Sequence, residues 1–173
     1  MQLSLYQATV PSFLQILRPV AGLVEKAREH CKAQGGEEAA LCDARLAPDM
    51  WPFAKQVMAA VQHSAGAIEG AKRGETGPDM SAPPTSFDAL AAAVAGAIAA
   101  LEKVTPEEVD GIAANDTCFR FGERIMPFTV EDYLLSFALP NFYFHASMAY
   151  AVLRNQGVQV GKADFLGAIR LKH

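Results

Sequence analysis

Leu139-Pro140-Asn141-Phe142-Tyr143-Phe144-His145-Ala146-Ser147-Met148-Ala149-Tyr150-Ala151-Val152-Leu153-Arg154 is the stretch whose reading decides the fold. At helical spacing, Asn141, Phe142, Met148, Ala149 and Val152 share a face with His145, which makes that face apolar and buried. A helix of this kind must lie against other helices. The histidine on it is then either a core residue with a satisfied hydrogen bond or part of the lining of a site. Pro140 removes one backbone donor, so the helix kinks or restarts there and leaves Asn141 in the first turn of its second segment.

Upstream, Thr129-Val130-Glu131-Asp132 supplies an N-cap and an acidic first turn, and downstream Gln156-Gly157 closes the helix. Before it, Cys118-Phe119-Arg120-Phe121 and Arg124-Ile125-Met126-Pro127-Phe128 flank Gly122-Glu123, the pattern of a small hairpin. Three more amphipathic segments precede the hairpin. The first runs from Ser4 to about Ala33, is expected to kink or split near Pro11 or Pro19, and ends at Gln34-Gly35-Gly36. The second starts with Pro52 in its first turn and reaches about Arg73. The third starts from an N-cap at Ser86 and runs to about Val104. Gly74 to Ser86, with its Gly-Pro and Pro-Pro pairs, reads as an exposed loop. Thr105-Pro106-Glu107-Glu108 starts a short helical turn, and Gly161 to Gly167 a packed turn near the end. Four apolar stripes that must be buried against one another give an all-α chain, an antiparallel four-helix bundle with a small hairpin before the last helix, in one domain spanning residues 1–173.

Composition narrows the function classes. Half of the 173 residues are apolar (51%) and a fifth are charged (20%), as in soluble globular proteins. A net charge of −4 with no basic run argues against nucleic acid or a membrane surface as partner. Met1-Gln2-Leu3-Ser4-Leu5 has no basic start leading into an apolar core, so no secretory signal is expected, and no apolar run approaches bilayer length. Cys31, Cys42 and Cys118 match no disulfide framework and no zinc ribbon, which suits reduced thiols in a cytoplasm.

Among the four histidines, His30 and His173 sit at positions expected to face solvent. His63 shares a face with Gln56, Ala59, Ala60, Ala67 and Gly70, a strip of small residues that leaves room around the ring. Facing helices of a bundle build sites from opposed side chains, so His63 and His145 converge in one reading. In the other, both rings are structural and hydrogen-bonded to Tyr143, Tyr150 or Asp49. Asp49, in the Pro48-Asp49-Met50 turn, either caps the second helix or orients a histidine. Trp51, Met50 and Met58 read as packing. Two histidines are half of a catalytic zinc set, and the positions after His145 where a further ligand would stand are Met148 and Ala149.

Leu46-Ala47-Pro48-Asp49-Met50, Gln56-Val57 leading to His63, the Pro140-to-His145 run, Leu153-Arg154-Asn155-Gln156-Gly157-Val158 and Gly161-to-Gly167 together resemble the DinB-like (YfiT-like) superfamily. The resemblance is closest to a bacterial branch described only as a domain of unknown function, and it covers essentially the whole chain. It implies a four-helix bundle, often dimeric, that holds a divalent metal such as zinc or nickel through one histidine on the second helix and a His-x-x-x-His pair on the last. Some members of that superfamily are thiol-dependent transferases or isomerases. His63 corresponds to the second-helix ligand and His145 to the later histidine of the pair, while Asn141 stands where the earlier one would be.

The expectation from the sequence is a DinB-like protein with a small-molecule pocket around His63, His145, Asn141, Asp49, Gln56 and Tyr150. Its remnant metal site would be of the metal-dependent transferase or hydrolase type, with His63 and His145 as ligands. The rival expectation is a non-enzymatic homodimeric bundle that binds or sequesters a ligand and whose histidines are structural.

Overall fold

The structure, a computed structural model, describes residues 3–172. Met1, Gln2 and His173 lie outside the described residues, and with them the expectation of a solvent-facing His173. The chain is mostly helical with one small sheet. Helix α1 (Leu5–Gln34) starts on Ser4, whose side chain accepts from the Gln7 amide, and stops at Gly35, whose φ of 62° suits a residue without Cβ. The expected split at Pro11 or Pro19 is absent: both prolines lie inside one continuous helix. Its buried stripe, from Val10 and Phe13 to Val24 and Ala27, continues on both sides of the two rings. Packing along that stripe offsets the two lost donors.

The short helix α2 (Glu38–Asp43) leads into the connector ahead of the second rod. That rod consists of α3 (Phe53–Val61), a π-turn (Gln62–Gly66) and α4 (Ala67–Arg73). Pro52 is its N-cap rather than its first helical residue. The third rod is α5 (Phe87–Leu101), capped by Ser86 as expected, followed by the short α6 (Pro106–Asp110) with a Thr105–Glu108 capping box. The last rod is α7 (Val130–Asp132), a second π-turn (Tyr133–Ala138) and α8 (Leu139–Asn155), and α9 (Lys162–Leu166) closes the chain. Helix α1 packs on α5 and α8, and α3 packs on the same two helices, so the core lies at the centre of this square. Within it Phe13 meets Phe142 edge-on at 4.9 Å.

Two π-turns are the departures from plain helix, and the sequence supplies a reason for each. A π-turn leaves carbonyls without their usual i+4 donors. In the first, the fully buried Ser64 hydroxyl donates to Ala60 O at 2.7 Å and to Val61 O at 3.1 Å. In the second, Pro140 has no N–H to offer, Ser136 donates its hydroxyl to Asp132 O at 2.5 Å, and Asn141 Nδ2 donates to Phe137 O at 2.7 Å. The restart expected at Pro140 is therefore this π-turn, and Asn141 lies in the first turn of α8.

The hairpin is present as β2 (Asp116–Phe121) and β3 (Arg124–Thr129), with Cys118 opposite Pro127 and Phe119 opposite Met126. An unexpected strand, β1 (Glu75–Thr76), pairs parallel to β2. The segment from Gly74 to Ser86 is thus not all exposed loop, and its Thr76 is buried. The expected all-α class gives way to a mostly helical chain with a three-stranded sheet, because β1 uses the free edge of the hairpin. Tyr133 donates its hydroxyl to Thr76 Oγ1 at 3.3 Å, and Phe119 lies 4.7 Å from Phe137. The sheet therefore braces the π-turn from which the His145 helix starts. Among the described residues, no helix is long and apolar enough to cross a membrane.

Candidate functional site

His63 and His145 come together. Their ring centroids are 5.6 Å apart with planes inclined by 10°, and Trp51 lies against His145 at 5.2 Å and 11°. Each member reaches the stack by a different local device. Trp51 is in the connector ahead of α3, His63 is in the π-turn of the second rod, and His145 is on the inner face of α8. The π-turn also changes the face expected for His63. Its extra residue rotates the helix beyond it, so Ala67 and Gly70 turn into the core while His63 stays half-buried beside Phe137, 5.8 Å away.

Hydrogen bonding fixes the proton on His145. Gln56, only 2% exposed, donates from Nε2 to the Trp51 carbonyl at 3.1 Å, and its Oε1 stands 2.8 Å from His145 Nδ1. The carbonyl accepts only, so the amide nitrogen must face it and the amide oxygen must face the ring. An amide oxygen also accepts only, so Nδ1 carries the hydrogen and Nε2 keeps a lone pair. Among the described residues neither Nε2 of His145 nor either nitrogen of His63 has a hydrogen-bond partner, and Thr117 Oγ1 is the one sealed-off side-chain polar atom left without one. The free imidazole nitrogens are therefore open to solvent. Burial lowers the pKa of both rings to about 4, and for His63 the neighbouring His145 adds to the lowering. Both are neutral near pH 7.

The two rings share a stack but not a hollow. His145 opens on a cavity of about 370 Å³ lined by Met50, Trp51, Gln56, Asn141, Phe144 and itself. His63 borders a separate space of about 30 Å³, enough for a water molecule, between Trp51, Lys55 and the 78–79 loop. Lys55 holds that loop by donating to Asp79 O at 2.6 Å and Ser81 O at 3.2 Å, with its ammonium 5.8 Å from the Trp51 ring. A larger hollow of about 460 Å³ lies elsewhere, between α1 and the C-terminal tail. Two of its charged groups are paired, Arg18 with Glu102 and Asp164 with Lys26, the third, Arg170, is exposed, and its lining has no buried titratable group, so the histidine side is the stronger site.

Of the residues expected at the site, His63, His145, Gln56 and Asn141 are brought together. Two are not. Asp49 is exposed, forms no cap of α3 and does not line either hollow, because the chain turns outward before Pro52. Tyr150 lies about one and a half turns beyond His145 on α8 and packs on Phe165 at 6.1 Å. The hydrogen-bond partner of His145 is Gln56 rather than Tyr143, Tyr150 or Asp49. His30, expected to face solvent, is half-buried. Trp51, expected to be packing alone, is 47% exposed and covers His145, and Phe144, 53% exposed, forms another wall. The available signal is a lone tryptophan in a proline-flanked connector just ahead of the helix that carries His63.

The side chains present do not suit the metal that the resemblance implies. Two imidazoles are at hand, but Asn141 turns its amide nitrogen to Phe137 O and offers only a neutral oxygen. Among the described residues no group of three or more His, Cys, Asp or Glu side chains could hold an ion. The set does not fit a three-ligand catalytic centre.

No curated protein matches the chain. The crystal structure of a DinB family member from Shewanella denitrificans superposes with a TM-score of 0.81 at 25% identity, over 98% of this chain and 95% of that one. Residues 5–166 match the family described as Domain of unknown function (DUF1993), and the chain therefore belongs to that family, a DinB-like domain.

Proposed function

We propose that this chain is a cytoplasmic DinB-like four-helix bundle that binds a small molecule in the hollow beside His145, with the neutral imidazole as a hydrogen-bond acceptor or base. The observation that carries the reading is the relay from the Trp51 carbonyl through Gln56 to His145 Nδ1, which leaves the Nε2 lone pair free next to an open, aromatic-walled cavity. Zinc or nickel would find two imidazoles here, fewer than a catalytic centre uses, so no chemistry is routed through a metal. Homodimerisation belongs to the same proposal.

A second reading keeps the histidines structural in a non-enzymatic dimer. What favours it is the same Gln56 bond, which satisfies half of the buried ring. A fragment library followed by nitrogen–proton correlation spectra separates the two. The site reading expects bound fragments to move the Trp51 indole and His145 signals together. It fails if fragments gather only between α1 and the C-terminal tail or move neither signal.

A further inference from the structure

Two side-chain acceptors face the His145 hollow, beside one side-chain donor, the indole N–H of Trp51, and that restricts what fits there. His145 Nε2 offers a lone pair, because Nδ1 is committed to Gln56. Asn141 offers Oδ1, because its Nδ2 donates to the Phe137 carbonyl at 2.7 Å. Neither acceptor has a protein donor, and neither is sealed from solvent. The rest of the lining is Met50, Trp51, Phe144 and the stem of Gln56, with no Lys, Arg, Asp or Glu among them. An anion or a ligand that only accepts would leave both lone pairs desolvated without partners, whereas one nitrogen bearing two hydrogens could serve both.

Building on the small-molecule reading above, we propose that the ligand of this hollow carries a primary nitrogen group, an amine or a carboxamide, on an apolar body. The nitrogen donates to His145 Nε2 and Asn141 Oδ1 while the body lies against Phe144 and Met50. Asn141, at the position where the family resemblance leads one to expect a histidine, is then a specificity residue that helps select a donor ligand.

Trp51 is the chain's one tryptophan and walls this hollow, so its fluorescence reports binding there; the other space it borders, beside His63, is about 30 Å³ and admits a water but none of the probes below. The test titrates the full-length protein at pH 7.5 with benzylamine, benzamide, benzoate and acetophenone. The first two are expected to bind about tenfold more tightly than the last two, roughly what one well-made hydrogen bond gives. The Asn141→Ala variant is expected to shrink that preference severalfold, and to melt somewhat below the parent because the Phe137 carbonyl loses its donor. Benzoate or acetophenone binding as tightly as benzamide would overturn the proposal and leave the small-molecule reading standing, as would a preference unchanged in the variant. If none of the four probes alters Trp51 fluorescence, both readings fall.

Discussion

Replacing Gln56 with leucine keeps the volume of a side chain that is 2% exposed and removes both ends of the relay from Trp51 to His145. Two hydrogen bonds disappear, each with a net contribution of about 1 kcal/mol. The His145 nitrogen that faced Gln56 is left buried with no partner, whichever tautomer the ring adopts, and an unmade buried bond costs about 1–3 kcal/mol. Burying the apolar leucine side chain in place of an amide returns part of this, so the expected loss is about 2–3 kcal/mol of unfolding free energy. Urea unfolding followed by Trp51 fluorescence reads that loss directly, because the tryptophan stands in the same stack. Gln56→Glu is the companion variant. A carboxylate beside Nδ1 stabilises the imidazolium, so the His145 pKa should rise from about 4. Equal unfolding midpoints for parent and Gln56→Leu, together with an unmoved His145 titration in Gln56→Glu, would refute the claim that Gln56 orients the ring.

Acidification should weaken the fold in a defined window. Both imidazoles have folded-state values lowered to about 4, so the unfolded chain takes up protons first as pH falls from about 6.5. The stabilisation is full above about 6.5 and is lost as pH falls through about 4, amounting to about 3 kcal/mol for each ring taken alone. Two rings with centroids 5.6 Å apart resist double protonation, so the second proton enters at lower pH than the first. Urea midpoints measured across that window should fall less steeply in His145→Gln than in the parent. Gly70→Ala should destabilise by about 1–3 kcal/mol, because its Cβ would lie 2.7 Å from the Thr76 Cβ and push β1 away from α4. Thermal melts would check this, and an unchanged melt would mean that β1 is not held there. Phe13→Ala should cost about 3–5 kcal/mol, since the ring is fully buried edge-on to Phe142, with calorimetry as the measurement.

The rods were legible from the period of their apolar residues, and their starts from Ser86, Thr105 and Thr129, whose side chains do cap. The convergence of His63 with His145 could be expected from opposed bundle faces. What could not be read were features in which tertiary contact overrides local preference. The two prolines of α1 are tolerated because the stripe from Phe13 to Val24 is completely enclosed. The π-turns depend on whether Ser64, Ser136 and Asn141 find stranded carbonyls, and helical periodicity does not encode that choice. Strand β1 is two residues long and has no alternation to detect. Trp51 reads as packing in the sequence because its connector has no period at all, and its place over His145 is set by where Pro52 starts α3.

The protonation state of the two rings at neutral pH is the most direct test, and long-range nitrogen–proton spectra of uniformly labelled protein read it. Both His63 and His145 are expected to be neutral at pH 7. His145 should carry its hydrogen on Nδ1, show a lone-pair type shift at Nε2, and titrate near 4. An Nε2–H tautomer of His145, or rings that gain their protons at the ordinary value of 6.5, would contradict the relay from Trp51 through Gln56 and the acceptor hollow built on it.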